Sequence, residues 1–350
     1  MVLPTGVALA LLSAILFGAS TPFAKLLLGD VDAWLLAGLL YLGAGLGLGV
    51  VHRSRGSLGL PAVEAPLRRS DMPWLAVVVV SGGILGPLFL MLGLTTTDAA
   101  SASLLLNLEG LATMAIAWIV FRENVDRRLI LGAFAILAGA ALLSWRGGDA
   151  TELGWGAAFI AAACLAWGVD NNLTRKLSSA DPVQIAMTKG LVAGCVNLSL
   201  ALAQGAAWPG AGTLLAAGVV GFLGYGVSLA LFVLGLRHLG TARTGAYFSL
   251  APFIGASLAV VMLGEPLSTR LLIAGCLMAV GLWLHLTERH EHEHAHPPLG
   301  HEHRHTHDRH HRHTHGPGDP SGEPHSHWHR HAPMVHRHPH YPDLHHRHSH

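Results

Sequence analysis

Ten apolar runs, each about 20 residues long, govern what this chain can fold into. They cover roughly 6–28, 32–52, 73–94, 98–121, 128–145, 154–174, 182–204, 212–236, 241–263 and 269–287. A bilayer core about 30 Å thick needs about 20 apolar residues of helix, and in lipid a helix satisfies its own backbone groups. The expected fold class is therefore an all-α integral membrane protein with ten transmembrane helices. Turn chemistry separates the runs: Gly29-Asp30, Asp71-Met72-Pro73, Gly147-Gly148-Asp149, Asp181-Pro182, Trp208-Pro209-Gly210 and Gly264-Glu265-Pro266. Charged residues make up only 12%, against about 25% in an ordinary soluble domain. The first run has no basic residue before it and is long enough to span, so it reads as a first membrane helix and not as a signal peptide. Cys164, Cys195 and Cys276 each lie inside an apolar run and read as small buried hydrophobes.

Basic residues set the expected orientation. With the N-terminus inside, the inner loops hold Arg53, Arg55, Arg68, Arg69, Arg122, Arg127, Arg128, Arg175, Lys176, Arg237 and Arg243. The outer side keeps only Lys25, Arg146 and Arg270. Ten spans return the C-terminus to the inner side. The expectation is a multi-pass protein of a bacterial cytoplasmic membrane with both termini cytoplasmic.

The chain also repeats itself. The stretch 18-GASTPFAKLLL-28 resembles 168-GVDNNLTRKLS-178, with Lys25 and Arg175 offset by 150. Farther along, Gly93 meets Gly235, Glu123 meets Glu265 and Gly139 meets Gly281, each offset by 142. Two five-helix units follow, 1–145 and 152–287. An odd number of spans per unit places the copies in opposite orientations, an arrangement common in secondary transporters, whose substrate sites lie at the repeat interface.

The segment 250-LAPFIGASLAVVMLGEPLSTRLLIAGCLMAVGLWL-284 resembles the drug/metabolite transporter superfamily, EamA-domain type, in Pro252, Glu265, Gly275 and Gly281. In the first half Glu123, Gly132 and Gly139 fit the pattern, while Gly110 stands at the proline position, preceded by Glu109. The resemblance extends over about residues 5–287. It implies ten helices in two inverted halves and alternating-access transport of a small solute, usually driven by an ion gradient or exchange; export is a separate expectation that the residues do not fix. It does not fix the substrate.

A charge at the bilayer centre costs about 2.5–3.5 kcal/mol and needs a reason. Glu109 falls near the middle of the fourth run, with Asn107 two residues before it. A carboxyl there can carry a proton, meet a cation, or form a structural pair with Lys189. Asp170, Asn171 and Asn172 are consecutive, so they splay around the sixth helix; they read as a site or as a cytoplasmic cap. Lys189 in the seventh run is a candidate counter-ion to Asp170 or Glu109. Ser20, Thr21 and Pro22 are expected to break the first helix at the position that repeats as Asp170-Asn171-Asn172. Tyr247, Ser249 and Pro252 are further pathway candidates, whereas Glu123 and Glu265 read as helix-end structure. No P-loop, GxSxG or HExxH motif is present, so neither an enzyme nor a nucleic-acid partner is expected.

All of the 26 histidines except His52, His238 and His285 lie beyond residue 288. Residues 288–350 cannot bury a core and read as a disordered cytoplasmic tail. Alternating imidazoles suit Ni, Zn, Co or Cu ions. The candidate ligands are His301, His303, His305, His307, His310, His311, His313 and His315, then His336, His338, His340, His345, His346, His348 and His350. No cofactor is required by anything in the sequence. Expected partners are the lipid bilayer, a small-molecule substrate and metal ions at the tail, with a second copy of the chain as a further candidate. Three readings stay open: export of an ordinary metabolite with a passenger or buffering tail, efflux of a divalent metal or metal chelate gathered by the tail, and membrane-anchored sequestration without transport.

Overall fold

The computed structural model describes residues 5–57, 67–121, 127–145, 154–177, 180–286, 291–296, 300–305, 325–330 and 334–339. Thirteen α-helices are formed: α1 (Thr5–Leu27), α2 (Ala33–Ser57), α3 (Met72–Val78), α4 (Gly86–Thr96), α5 (Ala99–Leu105), α6 (Leu108–Phe121), α7 (Arg127–Ser144), α8 (Trp155–Leu177), α9 (Pro182–Ala203), α10 (Ala211–Gly221), α11 (Ser228–Phe248), α12 (Ala251–Leu263) and α13 (Thr269–Leu286). Seven helical stretches among the described residues are long and apolar enough to cross a membrane: α1, Ala33–Ser54, Arg69–Thr96, Ala99–Val120, α7, α9 and Ala211–Gly235. Helices α8, α12 and α13 occupy the remaining expected places. Large apolar side chains face outward, as at Ile119 (71% exposed) and Val261 (79%). The interior is largely apolar as well, but it encloses polar groups such as Asp170, Lys189 and Asn197. Large apolar side chains outside and charges inside suit a bundle solvated by lipid. Of the three cysteines, Cys164 is buried as expected, but Cys195 and Cys276 are exposed on the bundle surface. An outward thiol costs little in lipid, because it behaves as a small hydrophobe.

Helix ends follow local chemistry. Asp98 caps α5 through a bond from the Ser101 amide (2.7 Å), and Asp181 caps α9 through the Val183 amide (2.8 Å), with Pro182 at the first helical position. Gly264 ends α12 with φ at 65°, a conformation open to glycine. Glu265 then reaches across to α5, where its two oxygens accept from the amides of Ala99 and Ala100, both at 2.7 Å. The helix-end role expected for Glu265 is thus a charge-assisted cap on another helix. Glu123 lies outside the described residues.

The same irregularities recur at an offset of 142 or 143 residues. One π-helical stretch covers Val79–Leu85 and another Phe222–Val227; adding 142 to the first gives 221–227. The fourth run breaks between α5 and α6 at Leu106–Asn107, and the ninth between α11 and α12 at Ser249–Leu250. Helix α11 also reverses within its length. A Cβ on Gly235 would lie 3.0 Å from Thr244 Cγ2, whereas nine residues of straight helix span about 13.5 Å.

Close contacts between small residues hold the helices together. Helix α2 packs on α9 and α7 on α13. A Cβ on Gly132 would come 2.7 Å from the Gly281 carbonyl, and one on Gly139 would come 2.9 Å from that of Ala274. These two contacts exchange under the 142-residue offset, since 132 becomes 274 and 139 becomes 281. Likewise α1 packs on α11 and α12 as α8 packs on α4 and α6. Backbones that touch in this way gain dispersion contacts and need no hydrophobic drive between helices in lipid.

Expected disorder in the tail does not hold for all of it. Glu291–His296 (β1) pairs antiparallel with Met334–Pro339 (β4), and Gly300–His305 (β2) pairs antiparallel with His325–Arg330 (β3). The physical reason is the two-residue alternation of the tail, which is the period of a strand and not of a helix.

Candidate functional site: a charged cluster around α8

Glu109 is not in the middle of a continuous helix. It is the second residue of α6, directly after the break at Leu106–Asn107. The first turn of a helix has unpaired amides and the positive end of its dipole, which favours a carboxylate there. Asn107 Nδ2 donates to the Leu104 carbonyl at 2.8 Å, so that side chain seals the end of α5. Glu109 Oε1 accepts from Asn171 Nδ2 at 2.8 Å. Asn171 also reaches Thr113 Oγ1 at 3.3 Å, and that hydroxyl donates to the Glu109 carbonyl at 2.9 Å.

The neighbouring residue on α8 faces a different element. Asp170 forms a buried ion pair with Lys189 of α9, and the two side chains are 7% and 5% exposed. Thr174 Oγ1 donates to the other oxygen, Asp170 Oδ1, at 2.9 Å. The partner of Lys189 is thus Asp170 and not Glu109. The π-helical stretch makes room for this pair. A Cβ on Gly82 would collide with the Asp170 carboxylate, so only glycine fits. The wider π turn also leaves the Gly82 carbonyl available: it accepts from Tyr41 Oη at 2.7 Å and from Trp167 Nε1 at 3.0 Å. Tyr41, Tyr225, Phe17 and Trp167 form a chain of rings beside it, with centroids 5.3 to 6.0 Å apart.

The third residue of the triplet has a structural duty. Asn172 Nδ2 donates to the Gly168 and Thr113 carbonyls at 2.8 and 3.0 Å. Together the triplet ties α8 to α9 and α6, as the splayed spacing implied. It does not cap the helix, since α8 continues to Leu177.

Other expectations change. Helix α1 is unbroken at Ser20, Thr21 and Pro22. Ser20 Oγ donates to the Phe17 carbonyl at 2.6 Å, and all three residues are buried. The close approach of Gly255, whose added Cβ would be 2.7 Å from the Gly18 oxygen, covers the carbonyl that Pro22 leaves without its amide. Pro252 does not interrupt a helix either. It is the second residue of α12, where its missing amide costs nothing. Tyr247 and Ser249 sit just before that break, with Ser249 Oγ bonded to the Gly245 carbonyl at 2.7 Å. Tyr41, Gly82, Thr113 and Trp167 were not anticipated. Gly82-Gly83 inside an apolar run was the available signal, since paired glycines mark close approach or an altered helix.

Of the tail histidines, His301, His303 and His305 are in β2 and His336 and His338 in β4. His307, His310, His311, His313, His315, His340, His345, His346, His348 and His350 lie outside the described residues. Among the described residues no group of three or more His, Cys, Asp or Glu is already gathered as a metal site, so any ion held by the tail would have to draw its ligands together.

Comparison with known proteins accounts for this arrangement. The model of the EamA-like transporter family matches residues 4–145 and again residues 154–287. The chain belongs to the EamA-like transporter family. A curated relative from Methanothermobacter thermautotrophicus, an uncharacterized transporter, is 30% identical over 78% of this chain and 83% of that protein. The uncharacterized transporter YyaM of Bacillus subtilis is 22% identical over 63% of this chain and 74% of its own length. A protein of known crystal structure shares the fold, with a TM-score of 0.61 and 22% identity over 81% of this chain and 98% of that one. As an EamA-like transporter the chain is a multi-pass membrane protein that moves a small solute.

Proposed function

We propose that this EamA-like chain exports a small solute by alternating access, and that Glu109 is the carboxyl that exchanges a proton or a cation against it. Its ten spans form two inverted five-helix halves, 1–145 and 152–287, with both termini cytoplasmic. The observation that carries the reading is unequal pairing. Asp170 has a full cation partner in Lys189, whereas Glu109, on α6 against the adjoining face of α8, has the amide of Asn171. A carboxylate at a half-helix terminus, held by one neutral donor, is poised to change partner or protonation when a solute arrives. Lys189–Asp170 is a pin that holds α8 against α9 through the cycle. The inverted halves are supported by the π stretches and glycine contacts, which recur at a 142-residue offset, and by the helix breaks, which recur at 143.

The test is transport by the full chain in proteoliposomes loaded with a pH-sensitive dye. Amino acids, sugars, nucleosides and chloride salts of Ni, Co, Zn and Cu are added in turn, with both inward and outward gradients. The expected result is flux of one class that depends on protein, favours the outward direction, and is lost in Glu109→Gln. Full flux in Glu109→Gln would remove that residue from the mechanism. Flux indistinguishable from empty vesicles for every class would reject the reading.

A further inference from the structure

We propose that the tail binds divalent transition-metal ions on ladders of paired histidines, with β2–β3 as the principal site. The alternation of the sequence makes many histidines available but does not say which belong together. The register does. In β2–β3, His301 is opposite His329, His303 opposite His327 and His305 opposite His325. The intervening pairs, Gly300 with Arg330, Glu302 with Trp328 and Arg304 with Ser326, contain no histidine. In β1–β4, His292 is opposite His338 and His294 opposite His336. Alternate residues of a strand share a face, so six histidines occupy one face of β2–β3 and five occupy one face of β1–β4, where His296 stands opposite Met334. A shift of one residue in either register would set histidine against non-histidine along the whole ribbon.

The spacing suits an ion. Residues directly opposite on antiparallel strands have Cβ atoms about 4.5–5.5 Å apart, and residues two apart on one strand are about 6.8 Å apart. Two successive rungs therefore offer four imidazoles within one small rectangle, at positions 301, 303, 327 and 329. Imidazole nitrogens bind zinc at about 2.0–2.1 Å, and an all-nitrogen set of four serves Zn, Ni or Cu(II). A lone two-stranded ribbon is marginal in water. Metal capture and strand pairing in β2–β3 are then one event, as in small domains that fold around their ion. The register gives weight to His325, His327 and His329, which lie 20 or more residues along the chain from the histidines they face.

The experiment uses full-length protein in detergent, stripped by chelator and titrated with zinc chloride against a chromophoric competitor. Three proteins are compared: the unaltered chain, the triple variant His325→Ser, His327→Ser and His329→Ser, and a control triple His310→Ser, His311→Ser and His313→Ser. The ladder triple is expected to weaken the tightest zinc site at least tenfold, and the control less than twofold. Amide exchange across 300–305 and 325–330 is expected to slow on zinc addition in the unaltered chain and not in the ladder triple. Equal losses in the two triples would overturn the proposal, because the tail would then bind by histidine number alone. So would no loss in either triple, or exchange that ignores zinc. These readouts do not involve transport, so failure here would leave the reading of the core intact.

Discussion

The buried pair of Asp170 and Lys189 gives the sharpest energetic prediction. Both side chains are almost wholly enclosed, and the carboxylate has a second bond from Thr174. Removing one partner of a buried pair leaves the other charge stranded and costs about 3–5 kcal/mol. Removing both charges together avoids that penalty and is often close to neutral. Lys189→Met and Asp170→Asn should each destabilise by about 3–5 kcal/mol. Independent effects would total about 6–10 kcal/mol in the double variant. The expected loss is instead about 2 kcal/mol or less, a coupling of roughly 4 kcal/mol or more. Reversible unfolding in mixed micelles, followed by tryptophan fluorescence, measures all four proteins. Vesicle transport adds a second reading: as a pin, the neutral pair should restore flux along with stability. A double variant as unstable as the sum of the singles would refute the coupling. A stable double variant without flux would show that the charges act in transport itself.

Three other outcomes are expected. Gly132→Leu should force α7 from α13, because even a Cβ there would press on the Gly281 carbonyl at 2.7 Å; overpacking of this kind costs about 1–3 kcal/mol, visible as a lowered unfolding midpoint. Glu265→Ala removes two bonds to the amides of Ala99 and Ala100 and should cost about 1–2 kcal/mol, with Glu265→Gln losing less in the same unfolding assay. Cutting the chain after residue 287 should leave the unfolding midpoint of the core unchanged, and a collapse of the detergent-purified core would contradict the separation of core and tail.

The membrane fold was legible because lipid imposes a single length scale, and runs of about 20 apolar residues can hardly do anything else. The charged cluster was legible for the same reason: Glu109, Asp170 and Lys189 stand out in such runs. Pairing was less so. Lys189 could have met either carboxylate, and only the packing of α9 against the π stretch selects Asp170. Helix irregularity was least legible. Pro22 suggested a break and there is none, since a neighbouring glycine covers the freed carbonyl. The break at Ser249–Leu250 falls just before Pro252, which disfavours a continuous helix there. The break at Leu106–Asn107 has no proline beside it, and there tertiary context overrides propensity. The tail was read from composition, which measures the inability to form a core but is blind to strand register.

The scaffold is symmetric and its chemistry is not. Gly82 faces Asp170, and at matching offsets Gly224 faces Ser20. Glu109 opens one half-helix, while the matching position in the other, Ala251, is apolar. Inverted halves make inward-open and outward-open states near copies of each other, and so near in energy. Charges without a counterpart at the matching position, Glu109 in the first half and the Asp170–Lys189 pair in the second, would remove that balance, because each state then surrounds Glu109 differently. A buried charge costs about 2.5–3.5 kcal/mol, and about 1.4 kcal/mol is a tenfold change in population. Neutralising one carboxyl, by a proton or a cationic group of the solute, can thus shift the two states by about a hundredfold. That is enough for a single side chain to couple the arrival of a ligand to the exchange of access. On the proposed mechanism, Glu109 keeps a neutral amide partner for that exchange while Asp170 stays locked to a lysine.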